Sequence, residues 1–121
     1  MAKTILVVDD SSSVRSVLGI TLKSAGYDVI TACDGKDALS KMTGSKIHLI
    51  VSDVNMPNMD GISFVKEVKK LQAYKFTPVC MLTTESGNSK KQEGKDAGAK
   101  AWIVKPFQPP KLLEVVSKLI G

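Results

Sequence analysis

The sequence predicts an α/β fold: a doubly wound (βα)5 three-layer sandwich with a five-stranded parallel sheet between its helices. Three observations predict it. Five short apolar runs recur along the 121 residues. The segments between them carry apolar residues at the 3.6-residue spacing of amphipathic helices. The first and third runs, Ile5-Leu6-Val7-Val8 and Leu49-Ile50-Val51, are apolar without interruption, as strands buried on both faces must be. Strands that alternate with helices build βαβ units with parallel strands and right-handed crossovers.

The elements follow in order. Thr4–Val8 leads through Ser11-Ser12-Ser13, which can cap a helix, into Val14, Val17, Leu18 and Leu22 at helical spacing, with Gly26 as a stop. Asp28–Ala32 is followed by Ala38, Leu39 and Met42, and then by Gly44, a second stop. Leu49–Ser52 precedes Ile62, Val65, Val68 and Leu71, and Val79–Leu82 precedes the segment Asn88–Lys100. Ala101–Val104 precedes a last helix that Pro109-Pro110 suits as its first turn and that carries Leu112, Leu113, Val116, Leu119 and Ile120. Asn88–Lys100 is the exception among the helical segments. It has no large apolar residue and holds Gly94 near its middle, which costs about 1 kcal/mol relative to Ala, so weak anchoring is expected there. Two strand orders are common in doubly wound sheets, and 2-1-3-4-5 is the one expected here.

Composition bounds the function classes. The length suits one domain over residues 1–121 and leaves no room for a second. Hydrophobic residues at 43% and charged residues at 24% are ordinary for a water-soluble domain. No apolar run approaches the roughly 18 residues of a membrane span, and Met1-Ala2-Lys3-Thr4 passes straight into a strand pattern without a signal-peptide layout. A cytoplasmic protein without membrane insertion is expected. The net charge of +5 comes from sixteen lysines and a single arginine, Arg15, spread along the chain. Reading base edges leans on the bidentate arginine fork, so nucleic acid is not expected as a partner. Cys33 and Cys80 have no CxxC spacing and no neighbouring His or Cys that would suggest zinc. In the expected order they stand three strand spacings apart, about 14 Å at roughly 4.8 Å each, beyond the about 7 Å that a disulfide spans. Both are expected to be reduced core residues, and His48, at the start of the third strand, an ordinary structural one.

In open α/β sheets ligands bind at the carboxyl ends of the strands. Strand 1 closes with Asp9-Asp10, strand 3 with Asp53 ahead of Val54-Asn55-Met56-Pro57, strand 4 with Thr83-Thr84-Glu85, and strand 5 with Lys105-Pro106. In the expected order these strands are consecutive, so three carboxylates, a hydroxyl and an ammonium converge on one edge. Taken alone, each acid could be a cap or a loop charge, and Asp10 ahead of three serines would suit a helix cap. As a set they demand a counter-charge, since two carboxylates about 4 Å apart repel by about 4 kcal/mol at an effective dielectric near 20. Mg²⁺ answers that demand with oxygen ligands and several retained waters. Asp10 and Asp53 are the expected direct ligands, with Asp9 acting through water and the Asn55 carbonyl completing the set.

These residues resemble the receiver domain of two-component response regulators, over essentially the whole chain. The resemblance rests on Leu6-Val7-Val8-Asp9-Asp10, Asp53-Val54-Asn55-Met56-Pro57 with Asp60-Gly61, Leu82-Thr83-Thr84 and Lys105-Pro106-Phe107. With no output domain in the sequence, it is similar to the single-domain chemotaxis CheY-type members. The strand order 2-1-3-4-5 is that of this flavodoxin-like, CheY-like group, so its choice above is not independent of the resemblance. The resemblance implies a signalling switch rather than a conventional enzyme. Asp53 would accept a phosphoryl group from a histidine kinase or a small phosphodonor, with Lys105 and Thr83 contacting phosphoryl oxygens. Asn55 and Glu85 would occupy the positions that tune decay of the acyl phosphate, and decay would be fast. Thr83 and an aromatic ring on strand 5 would form the switch, and the face made by Asn88–Lys100, strand 5 and the last helix would be the output surface. The lysines of that segment, Lys90, Lys91, Lys95 and Lys100, would suit an acidic or mixed partner surface. The ring here is Trp102, where the family carries Tyr or Phe. Indole is larger than phenol and has no acceptor oxygen, so a groove that reads a Tyr hydroxyl would not fit it. A flagellar motor switch protein and a phosphatase are the further partners implied, with the protein acting as a monomer; a phosphate sink or an adaptor for another pathway is the alternative.

Two other classes share parts of this pattern. A flavodoxin-like electron carrier needs a Ser/Thr/Gly-rich phosphate loop after strand 1, where Asp9-Asp10 would repel the flavin phosphate. A haloacid-dehalogenase-type phosphatase also uses an Asp nucleophile with Mg²⁺, but within an Asp-x-Asp motif at the end of its first strand. Here the nucleophile candidate closes strand 3.

Overall fold

The computed structural model describes residues 3–42, 46–54, 59–83, 95, 97–105 and 107–120. Five parallel strands, β1 (Thr4–Val8), β2 (Asp28–Ala32), β3 (Leu49–Asp53), β4 (Val79–Thr83) and β5 (Ala101–Val104), make one sheet in the order β2-β1-β3-β4-β5. The described helices are α1 (Ser12–Ser24), α2 (Gly35–Lys41), α3 (Gly61–Lys70) and α4 (Pro109–Ile120). Of the segment Asn88–Lys100, only Lys95 and residues 97–100 are among the described residues, and Gly44 is not.

Local chemistry sets the helix starts. The Ser11 hydroxyl accepts from the Val14 amide, Asp34 from the Asp37 amide and Asp60 from the Ser63 amide, so each first turn has a side-chain cap. Pro109-Pro110 opens α4 as expected. Gly26, with φ at +95°, turns the chain out of α1 in a conformation that a side chain would oppose.

Strand alternation then sorts the core into two layers. Leu6, Val8, Ile50, Val79 and Met81 pack with Ala38, Ile62, Phe64, Val65 and Val68, which places α2 and α3 on one face. Ile5, Val7, Leu49, Val51 and Leu82 pack with Leu18, Leu22, Leu112 and Val116, which places α1 and α4 on the other. Each fully buried Leu, Ile or Phe contributes about 1.5–3 kcal/mol. The register pairs Ile5 with Leu49, Ile50 with Val79 and Met81 with Trp102, so the carboxyl ends of β1, β3, β4 and β5 line up along one edge.

Val17 lies in α1 as its spacing predicts but is 48% exposed, because it sits about 100° around the helix from the Leu18–Leu22 stripe that meets the sheet. One expectation needs correction. Cys33 is exposed rather than part of the core. It lies one residue beyond β2, an edge strand of the sheet, where its backbone amide donates to Asp37. Cys80 is buried in β4 as expected, and both cysteines are free. His48 has a structural role: its Nδ1 accepts from the Thr4 amide at 3.0 Å and ties the entrance of β3 to β1.

Burial pushes the Cys80 thiol up to about 12. A thiol reagent at mildly alkaline pH is therefore expected to modify Cys33 quickly and Cys80 only after unfolding in guanidinium. Fast modification of both in the native protein would contradict the packing of β4.

Candidate functional site

The site is built from the turns that leave the strands. Asp53 is the last residue of β3 and is buried, in phase with Leu49 and Val51 along the strand. Asp9 follows β1 directly and is fully buried. Its Oδ1 accepts from the Ser11 amide at 2.9 Å, while the Arg15 guanidinium donates to its backbone carbonyl at 2.6 Å, so the turn into α1 fixes it twice. Asp10 is exposed. Each of these acids offers one carboxylate oxygen, and the three oxygens lie within 4.8 Å of one another.

Lys105, one residue beyond β5, reaches across to them. Its ammonium donates to Asp9 Oδ2 at 2.8 Å and stands 3.3 Å from Asp53 Oδ1. Burial by itself would lower its pKa, but the hydrogen bond to Asp9 and the charges of Asp53 and Asp9 outweigh that and hold it above the ordinary lysine value. Its backbone amide donates to the Thr83 carbonyl at 2.6 Å, which fixes the turn to the end of β4. Thr83 is fully buried, in phase with Val79 and Met81, on the sheet face that α3 covers.

The structure therefore brings Asp9, Asp10, Asp53, Thr83 and Lys105 to one edge. Asn55 and Glu85, expected at the same edge, lie outside the described residues, as do Met56, Pro57 and Pro106. Asp10 is not the helix cap; Ser11 is. Asp9 has a role that spacing alone did not reveal, since it is the nearest partner of Lys105. Gly61 was legible only as part of a motif. A Cβ on Gly61 would fall 2.1 Å from the Asp53 carbonyl oxygen and 2.8 Å from Val54 Cα. Its amide donates to the Val54 carbonyl at 2.7 Å. The start of α3 thus rests on the backbone that carries Asp53, and only glycine lets it come so close.

The donor set fits a hard divalent cation. All three side chains offer oxygen, and three carboxylates against a single ammonium leave a net negative charge. Exposed Asp10 gives an entry from solvent and room for retained waters. Trp102 lies on β5, in register with Met81 and half-buried against the layer that α3 covers. Its indole Nε1 is buried and has no hydrogen-bond partner among the described residues.

A family model for the response regulator receiver domain matches residues 5–117. Protein PilG of Pseudomonas aeruginosa is 38% identical over 112 residues, which is 93% of this chain and 83% of that protein. The chemotaxis protein CheY1 of Helicobacter pylori is 38% identical over 119 residues, 97% of this chain and 96% of that one. The crystal structure of the chemotaxis protein CheY4 of Vibrio cholerae superposes with a TM-score of 0.95 at 50% identity, covering 98% of this chain and 99% of that one.

Two substitutions test the architecture of the edge. Lys105→Met leaves Asp9 and Asp53 buried without their counter-charge and is expected to cost about 3 kcal/mol in urea unfolding at neutral pH without divalent ions. Because the folded state raises the Lys105 pKa, this contribution is intact below the ordinary value of 10.5 and is lost as pH rises past it. An unchanged unfolding midpoint would show that the two carboxylates do not depend on Lys105. Gly61→Ala is expected to cost about 1–3 kcal/mol by overpacking against the Asp53 carbonyl; a neutral result would mean that α3 can retreat from β3 freely.

Proposed function

The chain belongs to the response regulator receiver domain family, and on that premise we propose that it is a CheY-like phospho-acceptor whose Asp53 is phosphorylated by a histidine kinase. The observation that carries the reading is the Asp53 carboxylate, buried at the end of β3 and held 3.3 Å from the Lys105 ammonium beside two further acids. An Asp53 carboxylate oxygen attacks phosphorus in a phosphohistidine. A P–O bond forms, the P–N bond breaks, and its electron pair returns to the imidazole, which leaves with a proton. Phosphoryl transfer of this kind is mostly positioning and charge neutralisation.

The chain's own residues divide that work. Lys105, already between Asp9 and Asp53, offers its ammonium to one phosphoryl oxygen, and the Thr83 hydroxyl donates to another. Asp9 holds Lys105 in place. Mg²⁺ bound by Asp10 and Asp53, with Asp9 through water and the Asn55 carbonyl, would supply the remaining neutralisation. Asn55 and Glu85 are assigned the role of setting the lifetime of the acyl phosphate.

The same proposal covers the output. A phosphoryl group that draws Thr83 toward Asp53 vacates space on the face where Trp102 lies, so Thr83 and Trp102 form the switch. The likeness to chemotaxis proteins CheY1 and CheY4 supports control of a flagellar motor switch protein, with a phosphatase resetting the mark. The protein is assigned to the cytoplasm, as a monomeric receiver unit over residues 1–121. Among the described residues no helix is long and apolar enough to cross a membrane.

Acetyl phosphate with Mg²⁺ is expected to label the native protein and not Asp53→Asn, read by intact mass; a labelled variant would show that the acceptor is another residue. Millimolar Mg²⁺ should raise the Tm by relieving carboxylate repulsion, and Asp10→Asn should remove most of that rise. For the output, beryllofluoride-activated protein should bind motor switch peptides more tightly than the unactivated form, and equal binding would overturn the motor assignment.

A further inference from the structure

The phosphoryl chemistry occupies the edge at the carboxyl ends of the strands and leaves the opposite edge without a task. There the loop from α3 to β4 faces the residues that enter β3, across the amino ends of two neighbouring strands. Between them lies an open groove of about 530 Å³, lined among others by Lys46, His48, Tyr74, Phe76 and Pro78. Phe76 is 86% exposed and belongs to neither core layer. The Lys75 ammonium stands over its ring, 5.1 Å from the centroid.

Lys46 lines this groove, and Lys75 adjoins it beside the Phe76 ring. Residues 46–48 and 69–78 hold Lys46, Lys69, Lys70 and Lys75 and no Asp or Glu. Lys69 donates to the Thr77 carbonyl at 2.7 Å, and Lys70 meets Glu67 at 2.9 Å. Lys46 and Lys75 have no carboxylate partner among the described residues. Lysines in the last turn of a helix complement its dipole and need no other account, which covers Lys69 and Lys70. Lys46 and Lys75 lie in loops and have no such reason. Folding gives none for an aromatic ring left in water either.

We propose that this groove is a docking site for an acidic protein segment that carries an apolar side chain. The apolar side chain would pack on Phe76 and the wall made by Tyr74 and Pro78, while carboxylates on either side meet Lys46 and Lys75. Charge selects both the partner and the edge: the converging acids Asp9, Asp10 and Asp53 repel an acidic segment from the far edge, and the lysines attract it to this one. Docking here leaves Asp53 open, so a kinase and this partner could be held together. A lipid surface fits less well, because membrane-binding faces expose a broad apolar surface, whereas this groove has one exposed large apolar side chain, Phe76. Nucleic acid fits less well because the groove has no arginine and a single exposed ring.

The test is selection of random peptides displayed on phage against the full-length protein, with a Lys46→Glu/Lys75→Glu/Phe76→Ala variant as counter-target. Peptides rich in Asp and Glu around a Leu, Phe or Trp should be enriched on the native protein. Their anisotropy-measured affinity should fall about tenfold in Phe76→Ala and weaken with added salt. Because Phe76 is exposed, Phe76→Ala should melt with the native protein and still label with acetyl phosphate, which separates this proposal from the assignment of Asp53. Enrichment of the same peptides on the counter-target, no enrichment at all, or stronger binding to phosphatidylserine vesicles or oligo(dT) than to any selected peptide would overturn it.

Discussion

The Lys105 ammonium, placed between two buried carboxylates, is the interaction on which the rest of the arrangement depends. A fully buried Asp9 and a nearly buried Asp53 share one edge beside this counter-charge. It also joins the ends of three separate strands, β1, β3 and β5, so the site exists only when the sheet is assembled in its native order. The same ammonium serves two masters unequally. It stands 2.8 Å from Asp9, which holds it in position, and 3.3 Å from Asp53.

A second constraint works through the backbone. Gly61 lets the first turn of α3 lie against the Asp53 carbonyl, and Asp60 caps that helix from the residue before it. Asp53 is therefore gripped by β3 on one side and by α3 beyond it. The backbone that carries Asp53 therefore has little room to retreat from α3.

Much of this was legible in the sequence because its signals were redundant. The uninterrupted apolar runs Ile5–Val8 and Leu49–Val51 admit little besides strands buried on both faces, and the alternation with helices fixed a parallel sheet. The acids and the lysine were legible as a set because each closes a strand. Other features depend on tertiary distances that no local pattern encodes. The pairing of Asp9 with Lys105 spans nearly the whole chain, and the need for glycine at position 61 comes from a carbonyl in another element. The exposure of Cys33 and Val17 has a related reason. Hydrophobic character indicates which residues can be buried, while the narrow contact of α1 and the edge position of β2 decide which are.

Trp102 is the only tryptophan in the chain, and it stands on the strand next to Thr83 with its indole N–H buried and unpartnered among the described residues. Indole emission responds to the polarity and hydrogen bonding around that N–H. The protein thus carries its own spectroscopic reporter, with no background from a second tryptophan, half-buried on the strand beside the one that ends in Thr83. Any rearrangement that gives the indole N–H a partner, or opens it to water, would appear as a shift in colour of a single fluorophore.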